Sequence, residues 1–245
     1  MIDASLHRRG LERVSRRLFL RGTLSVGALS LLTGCNLEDD DAVDRVLSAM
    51  SRWNDKVQAA LFSRARMAPT YTEADITDPF PFNAYYPVDQ VRHVDDAAWR
   101  LEVSGLVSER WAWSLSGLAA LPQSSQITRH ICIEGWSAIG KWGGVPFRDF
   151  LARIGADMRA RYVSFRCADD YRSSIDMASA LHPQTLLALT FRDKPLPAMY
   201  GFPMKLRVPT KLGFKNPKHI VAIEVTNVYP GGFWEDYGYN WFSGS

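Results

Sequence analysis

The chain has 245 residues, 47% hydrophobic and 22% charged, a globular balance with enough length for one large core or two small ones. Its formal charge is +3, yet residues 1–35 hold six arginines (Arg8, Arg9, Arg13, Arg16, Arg17, Arg21) against Asp3 and Glu12, a surplus of +4, so the rest of the chain carries −1. The basic balance therefore belongs to the N-terminal segment, and no nucleic-acid surface is expected on the folded domain.

Ser15-Arg16-Arg17-Leu18-Phe19-Leu20-Arg21 precedes a weakly apolar run, Gly22 to Thr33, too short for a mature membrane-spanning helix and read as a signal peptide. Its paired arginines resemble the twin-arginine export signal, which implies a protein folded before it crosses the membrane; a basic leader for the general export route is the alternative. Leu32-Thr33-Gly34-Cys35 resembles a bacterial lipobox, in which Cys35 is acylated and becomes the mature N-terminus. Cleavage without lipidation, or a retained leader, is the competing outcome. Each places the protein outside the cytoplasm, periplasmic or extracytoplasmic, with membrane association through Cys35 as one possibility.

Residues 36–68 read as a helical segment. Apolar side chains from Val43 to Leu61 recur at helical spacing, an acidic cluster Glu38–Asp41 precedes them and Pro69 lies beyond, so an amphipathic helix is predicted over Asp41–Met67, packed on the domain by its apolar face. From 69 to 245 the texture is of short segments broken by Gly and Pro. Strand-like runs occur at Trp99–Val103, Gln126–Ile133, Tyr162–Cys167, Thr185–Phe191, Met204–Val208 and His219–Val228, with short helices expected from Ser114 to Leu121, Pro146 to Ile154 and Ser174 to Leu181. The fold class is α+β with a mixed, β-rich core.

Cys132 and Cys167 are the two cysteines left after Cys35. In an oxidising compartment they could bridge one another across two strands. Cys132 also ends a β-like run just before a Gly/Trp-rich turn, Gly140-Lys141-Trp142-Gly143-Gly144, where backbone can approach a bulky ligand closely. A thiolate there suits a thiophilic metal, and Arg129 or Lys141 would favour the deprotonated form. Gly135-Trp136-Ser137-Ala138-Ile139-Gly140 misses the nucleophile-elbow spacing by one residue, which removes a serine hydrolase.

Arg129-His130-Ile131-Cys132-Ile133-Glu134-Gly135-Trp136, followed by Trp142-Gly143-Gly144-Val145-Pro146-Phe147, resembles the molybdenum-ligating segment of the sulfite oxidase superfamily, especially its periplasmic methionine-sulfoxide-reductase-like branch. Two later segments, Gly201 to Pro209 with Lys211 to Lys215, and Phe233 to Tyr239, resemble that family's pterin-binding strand and loop and its Trp-Glu-x-x-Gly-Tyr segment. Such an ordered set covering most of residues 80–241 is more specific than any member of it.

The resemblance implies a sulfite-oxidase-type fold binding a molybdenum–molybdopterin cofactor, with Cys132 as protein ligand to the metal. It implies cofactor contacts from Asn83, Tyr85, Tyr86, Cys167, Tyr200, Lys205, Lys215, Asn216 and Lys218. Lys205 stands where an arginine is usual, keeping the charge and losing a bidentate fork. Cys167 stands where relatives tend to have Thr, and Tyr200 where they have His or Asn. Glu134 is the candidate for orienting a reacting oxygen or moving a proton, with pairing to Arg129 or Lys141 as the plainer role. Trp136, Trp142 and Tyr171 are candidate channel walls or simple core, and Asp170 is a turn residue. The implied reaction is two-electron oxygen-atom transfer on a small molecule, reduction of an S-oxide or N-oxide with electrons from a membrane cytochrome b or periplasmic cytochrome c. Sulfite oxidation on the same fold and a cofactor-free lipoprotein binding module are the alternatives.

Overall fold

The computed structural model describes residues 40–245; the leader, its paired arginines and Cys35 lie outside them. Helix α1 spans Asp40–Leu61, ending six residues short of the expected Met67. From Ser51 onward it meets the C-terminal segment through its polar face. Asn240 Nδ2 donates to Ser51 O at 3.3 Å, Phe242 N to Asp55 Oδ1 at 2.6 Å and Gly244 N to Gln58 Oε1 at 2.9 Å. This corrects the sequence expectation of apolar docking: Trp53 and Leu61 are exposed.

The described residues form nine strands in two sheets. β1 (Glu102–Gly105), β9 (Ile220–Thr226), β4 (Tyr162–Cys167) and β5 (Arg172–Asp176) lie in that order in the first. β1 runs parallel to β9 and the other pairs are antiparallel. The second sheet has the order β2 (Ser124–Ile131), β3 (Ser137–Pro146), β6 (Leu186–Phe191), β7 (Lys194–Pro195), with β8 (Lys205–Arg207) also paired to β6. Helices α2 (Leu115–Ala119), α3 (Phe147–Arg153) and α4 (Met177–Ala180) are short. Ser114 caps α2, its hydroxyl accepting from Gly117 N at 3.0 Å.

One apolar cluster joins both sheets. Val163, Phe165, Ile175, Ile223 and Val225 of the first meet Val145, Leu187, Leu189 and Leu206 of the second around Phe147, Phe150 and Leu151 of α3. β6 is buried on both faces, so Ala188 and Phe191 join a second cluster with Phe80, Ala138 and Trp142. A strand covered on both sides reads as a continuous apolar run, which is how Leu186–Phe191 reads.

Two expectations fail here. The Gly/Trp-rich turn is the interior of β3, the longest strand, and Trp142 takes the second of the two roles open to it, fully buried core. Its glycines mark a register shift between Gly143 and Gly144, where β3 and β6 approach so closely that a Cβ at Gly144 would sit 1.9 Å from Leu187 O. Ser174–Leu181 is not one helix: Arg172–Asp176 is strand, and Asp176 then caps α4 by accepting from Ser179 N at 2.7 Å.

Because the obstacle at Gly144 is backbone, Gly144→Ala must push β3 from β6. We expect it to cost about 2 kcal/mol or more of stability, read from denaturant unfolding; an unchanged midpoint would show that the two strands can part at no cost.

Candidate active site

The β2–β3 connection is a five-residue turn held by Cys132 N donating to Trp136 O at 2.9 Å and Gly135 N to Cys132 O at 3.2 Å. Gly135 takes φ +92°, open to glycine and strained for other residues. Thr128, His130 and Cys132 alternate inward along this stretch, which carries the thiol to the wall of a cavity of about 390 Å³. Four other segments complete that wall: Asn83–Tyr85, the β4–β5 turn with Asp169 and Tyr171, Gly213–Lys218, and Trp234 with Tyr239.

At the wall, Trp136 Nε1 donates to Glu134 Oε2 at 2.8 Å, and the same oxygen lies 3.6 Å from Cys132 Sγ. Burial pushes the Cys132 thiol up, partly offset by backbone hydrogen bonding and raised further by Glu134. The expected help from Arg129 or Lys141 does not arrive. Arg129 lies over the Tyr71 ring, while Lys141 pairs with Glu73 at 2.6 Å and Asp193 at 2.5 Å. Neither pairs with Glu134, so that plainer role for the carboxylate falls too. A bound metal would supply the charge that deprotonates the thiol.

Positive charge gathers instead beneath the cavity. Lys205, Arg207 and Lys218 surround His130, and among the described residues none of the three is salt-bridged to a carboxylate. Burial first, then these three cations, holds His130 well below its ordinary value and so neutral. Burial followed by repulsion from Lys218 and Arg207 likewise pulls Lys205 far down, and its Nζ lies 5.0 Å from the centroid of the Trp142 ring. Arg207 Nε, His130 Nδ1 and His219 Nε2 are buried without a hydrogen-bond partner. Buried cations and orphaned polar atoms cost free energy unless an anion joins them, so the charge beneath the cavity fits an anionic, phosphate-bearing cofactor.

Asn216 ties this region together. Its Oδ1 accepts from Arg207 Nη1 at 3.0 Å and Val208 N at 2.7 Å, and its Nδ2 donates to Leu212 O at 3.0 Å. Lys218 Nζ donates to Asn83 O at 2.7 Å, and Asn83 Nδ2 lies 3.4 Å from His130 Nε2. Tyr85 OH donates to Asp169 O and Tyr86 OH to Asp169 Oδ2. Asp170 beside it has φ +64°, the turn conformation a glycine would take.

The structure thus gathers Cys132, Glu134, Asn83, Tyr85, Asn216 and Lys218 on one wall, with Tyr86 just behind. Cys167 is buried and unbridged, as is Cys132, so the disulfide alternative is not realised. Lys205 stands beneath. Lys215 is not available as a free cation, being fully buried in an ion pair with Glu235. Tyr200 is not brought to the cavity: its hydroxyl donates to Phe80 O at 2.7 Å and its ring lines a separate hollow with Asp78 and Arg192. Sequence reading missed Arg207 and Asp169. A basic residue two places after Lys205 on a strand was the available signal for the first, since alternate positions share a face.

Lys218 is pushed down to about 8 by burial from an ordinary 10.5. Between those values the unfolded chain binds the extra proton, so this lysine's contribution to stability rises with pH. In cofactor-free protein, wild type should therefore gain on Lys218→Met across pH 8 to 10.5 in denaturant titrations. A constant difference would mean the ammonium is not desolvated.

Comparison with known proteins agrees with this geometry. Residues 87–234 match the family model of the oxidoreductase molybdopterin binding domain. The chain is 63% identical over 235 residues to the putative protein-methionine-sulfoxide reductase subunit YedZ1 of Azospira oryzae, covering 96% of this chain and 90% of that protein. It is 36% identical over 154 residues to the protein-methionine-sulfoxide reductase catalytic subunit MsrP of Xanthomonas campestris, 56% of this chain and 48% of that one. For the Campylobacter jejuni MsrP the identity is 31% over 156 residues, 57% and 52%. The chain thus spans about half the length of these MsrP relatives. The crystal structure of the sulfane dehydrogenase SoxCD from Paracoccus pantotrophus shares the fold, with TM-score 0.53 and 18% identity over 56% of this chain and 40% of that chain. By this match and these relatives, the chain belongs to the oxidoreductase molybdopterin binding domain family and is a molybdopterin-dependent oxidoreductase.

Proposed function

We propose that this enzyme reduces S-oxides, methionine sulfoxide foremost: the sulfoxide takes up two electrons and two protons, its sulfur–oxygen bond breaks, and the sulfide and one water leave. The observation that carries the direction is the composition of the cavity wall. Its charged side chains are Glu134 and Asp169 against Lys218, among Tyr85, Tyr171, Phe214, Trp234 and Tyr239. Such a wall suits a neutral, soft, partly apolar substrate, whereas sulfite, an anion, would call for exposed cations. The names of the Azospira and MsrP relatives point the same way.

When bound, the molybdenum cofactor supplies the two-electron oxygen-atom transfer. Cys132 would hold the metal, and Lys205, Arg207 and Lys218 would meet the anionic charge of the pterin. Glu134 is placed to handle a proton at the reacting oxygen: Oε2 is fixed by Trp136 Nε1–H, leaving Oε1 free for exchange. Tyr171 stiffens the wall, its hydroxyl donating to Phe214 O at 2.7 Å. Electrons would come from a cytochrome b or c outside the cytoplasm, the compartment that the leader and Cys35 indicate.

The test is turnover of methionine sulfoxide by molybdenum-loaded enzyme with a reduced viologen. Cys132→Ser should lose metal or activity. Glu134→Gln should keep the metal and lower kcat by about a hundredfold. Sulfite-dependent reduction of cytochrome c without sulfoxide turnover would reverse the direction, and wild-type kcat in Glu134→Gln would remove the carboxylate from proton transfer.

A further inference from the structure

Helix α1 is mounted with its polar side toward the protein. At 3.6 residues per turn, Ser51, Asp55 and Gln58 form one stripe, and all three are tied to Asn240, Phe242 or Gly244. Trp53, Val57 and Leu61 form another, centred roughly 130° away by the same geometry. Trp53 is 67% exposed and Leu61 77%. The third sector carries Arg52 and Lys56, both exposed and without a carboxylate partner among the described residues.

Each sector excludes one reading. The polar sector is fully engaged, so the helix is not simply displaced from an apolar groove. A stripe whose Trp53 and Leu61 are left in water has a standing cost of exposure, which marks an interaction surface. The basic sector beside it selects the partner: long cationic side chains flanking an apolar stripe with a tryptophan can reach anionic headgroups while the stripe enters the acyl boundary. No described helix is long and apolar enough to cross a membrane.

We propose that α1, from Ser51 onward, lies in the surface of an anionic lipid bilayer, burying Trp53 and Leu61, with Arg52 and Lys56 at the headgroups. The helix is then an interfacial foot, clamped to the catalytic body by the residues around Asn240.

Residues 1–35 contain no tryptophan, so Trp53 reports on α1 independently of the leader. The full chain is bound to vesicles of phosphatidylglycerol and phosphatidylcholine carrying brominated acyl chains, and quenching is compared between wild type and Trp53→Phe. The expected result is a quenched component present only in wild type and lost in Leu61→Asp. Replacing Arg52 and Lys56 together by Gln should weaken that component by about tenfold at low salt. Equal molybdenum content shows that each variant has folded. Vesicle-bound protein whose Trp53 is unquenched overturns the proposal. So does a Trp53 component blind to lipid charge, or concentration-dependent dimerisation of wild type lost in Leu61→Asp, which would assign the stripe to a second copy.

Discussion

Three cations buried beside a neutral histidine, with no carboxylate bridged to them among the described residues, are the constraint around which the catalytic body is arranged. Folding removes Lys205, Arg207 and Lys218 from water, and only part of that loss is returned by carbonyls and by Asn216 and Thr128. The remainder is stored until an anion enters. A protein tolerates such an arrangement only if its apolar core is large enough to carry it, and the cluster joining both sheets through Phe147, Phe150 and Leu151 supplies that reserve. Elsewhere the chain neutralises buried lysines in the ordinary way, Lys211 by Asp176 and Lys215 by Glu235. The contrast separates the lysines left without a carboxylate from those paired within the fold.

The same contrast explains what sequence could and could not locate. Lys205, Lys215 and Lys218 look alike on paper, because a basic residue near a loop gives no hint of its partner. Lys215 is withdrawn from the site by Glu235, twenty residues away, a pairing that only folding reveals. The place of Cys132 at the cavity wall was legible because it ends a β-like run just before a turn. Tyr200 carried no comparable local signal, and position alone put it in the wrong hollow. Arg207 lay inside the segment that resembles the pterin-binding strand, but nothing local distinguished it from Lys205 as the cation to name.

Among the elements, β4 was legible at both ends because its alternation is clean and its bounding residues are turn formers. β3 was hidden by its glycines. They read as a loop when local propensity is consulted, but their function is to let two backbones approach, a demand set by β6 some forty residues away. The helix α1 was legible as a helix yet turned the wrong way, since amphipathicity identifies two faces without stating which partner each will meet.

The clamp on α1 also bears on the order of assembly. Gln58 and Asp55 find their partners only in residues 240–244, and β1 finds its neighbour only in β9. During synthesis the first elements of the domain must wait for the last, so a large part of the fold can close only after the chain is complete. Trp234 and Tyr239, which wall the cavity, belong to that late segment. Until it arrives the cavity lacks the side that Trp234 and Tyr239 supply, so the site is among the last features of the domain to take shape.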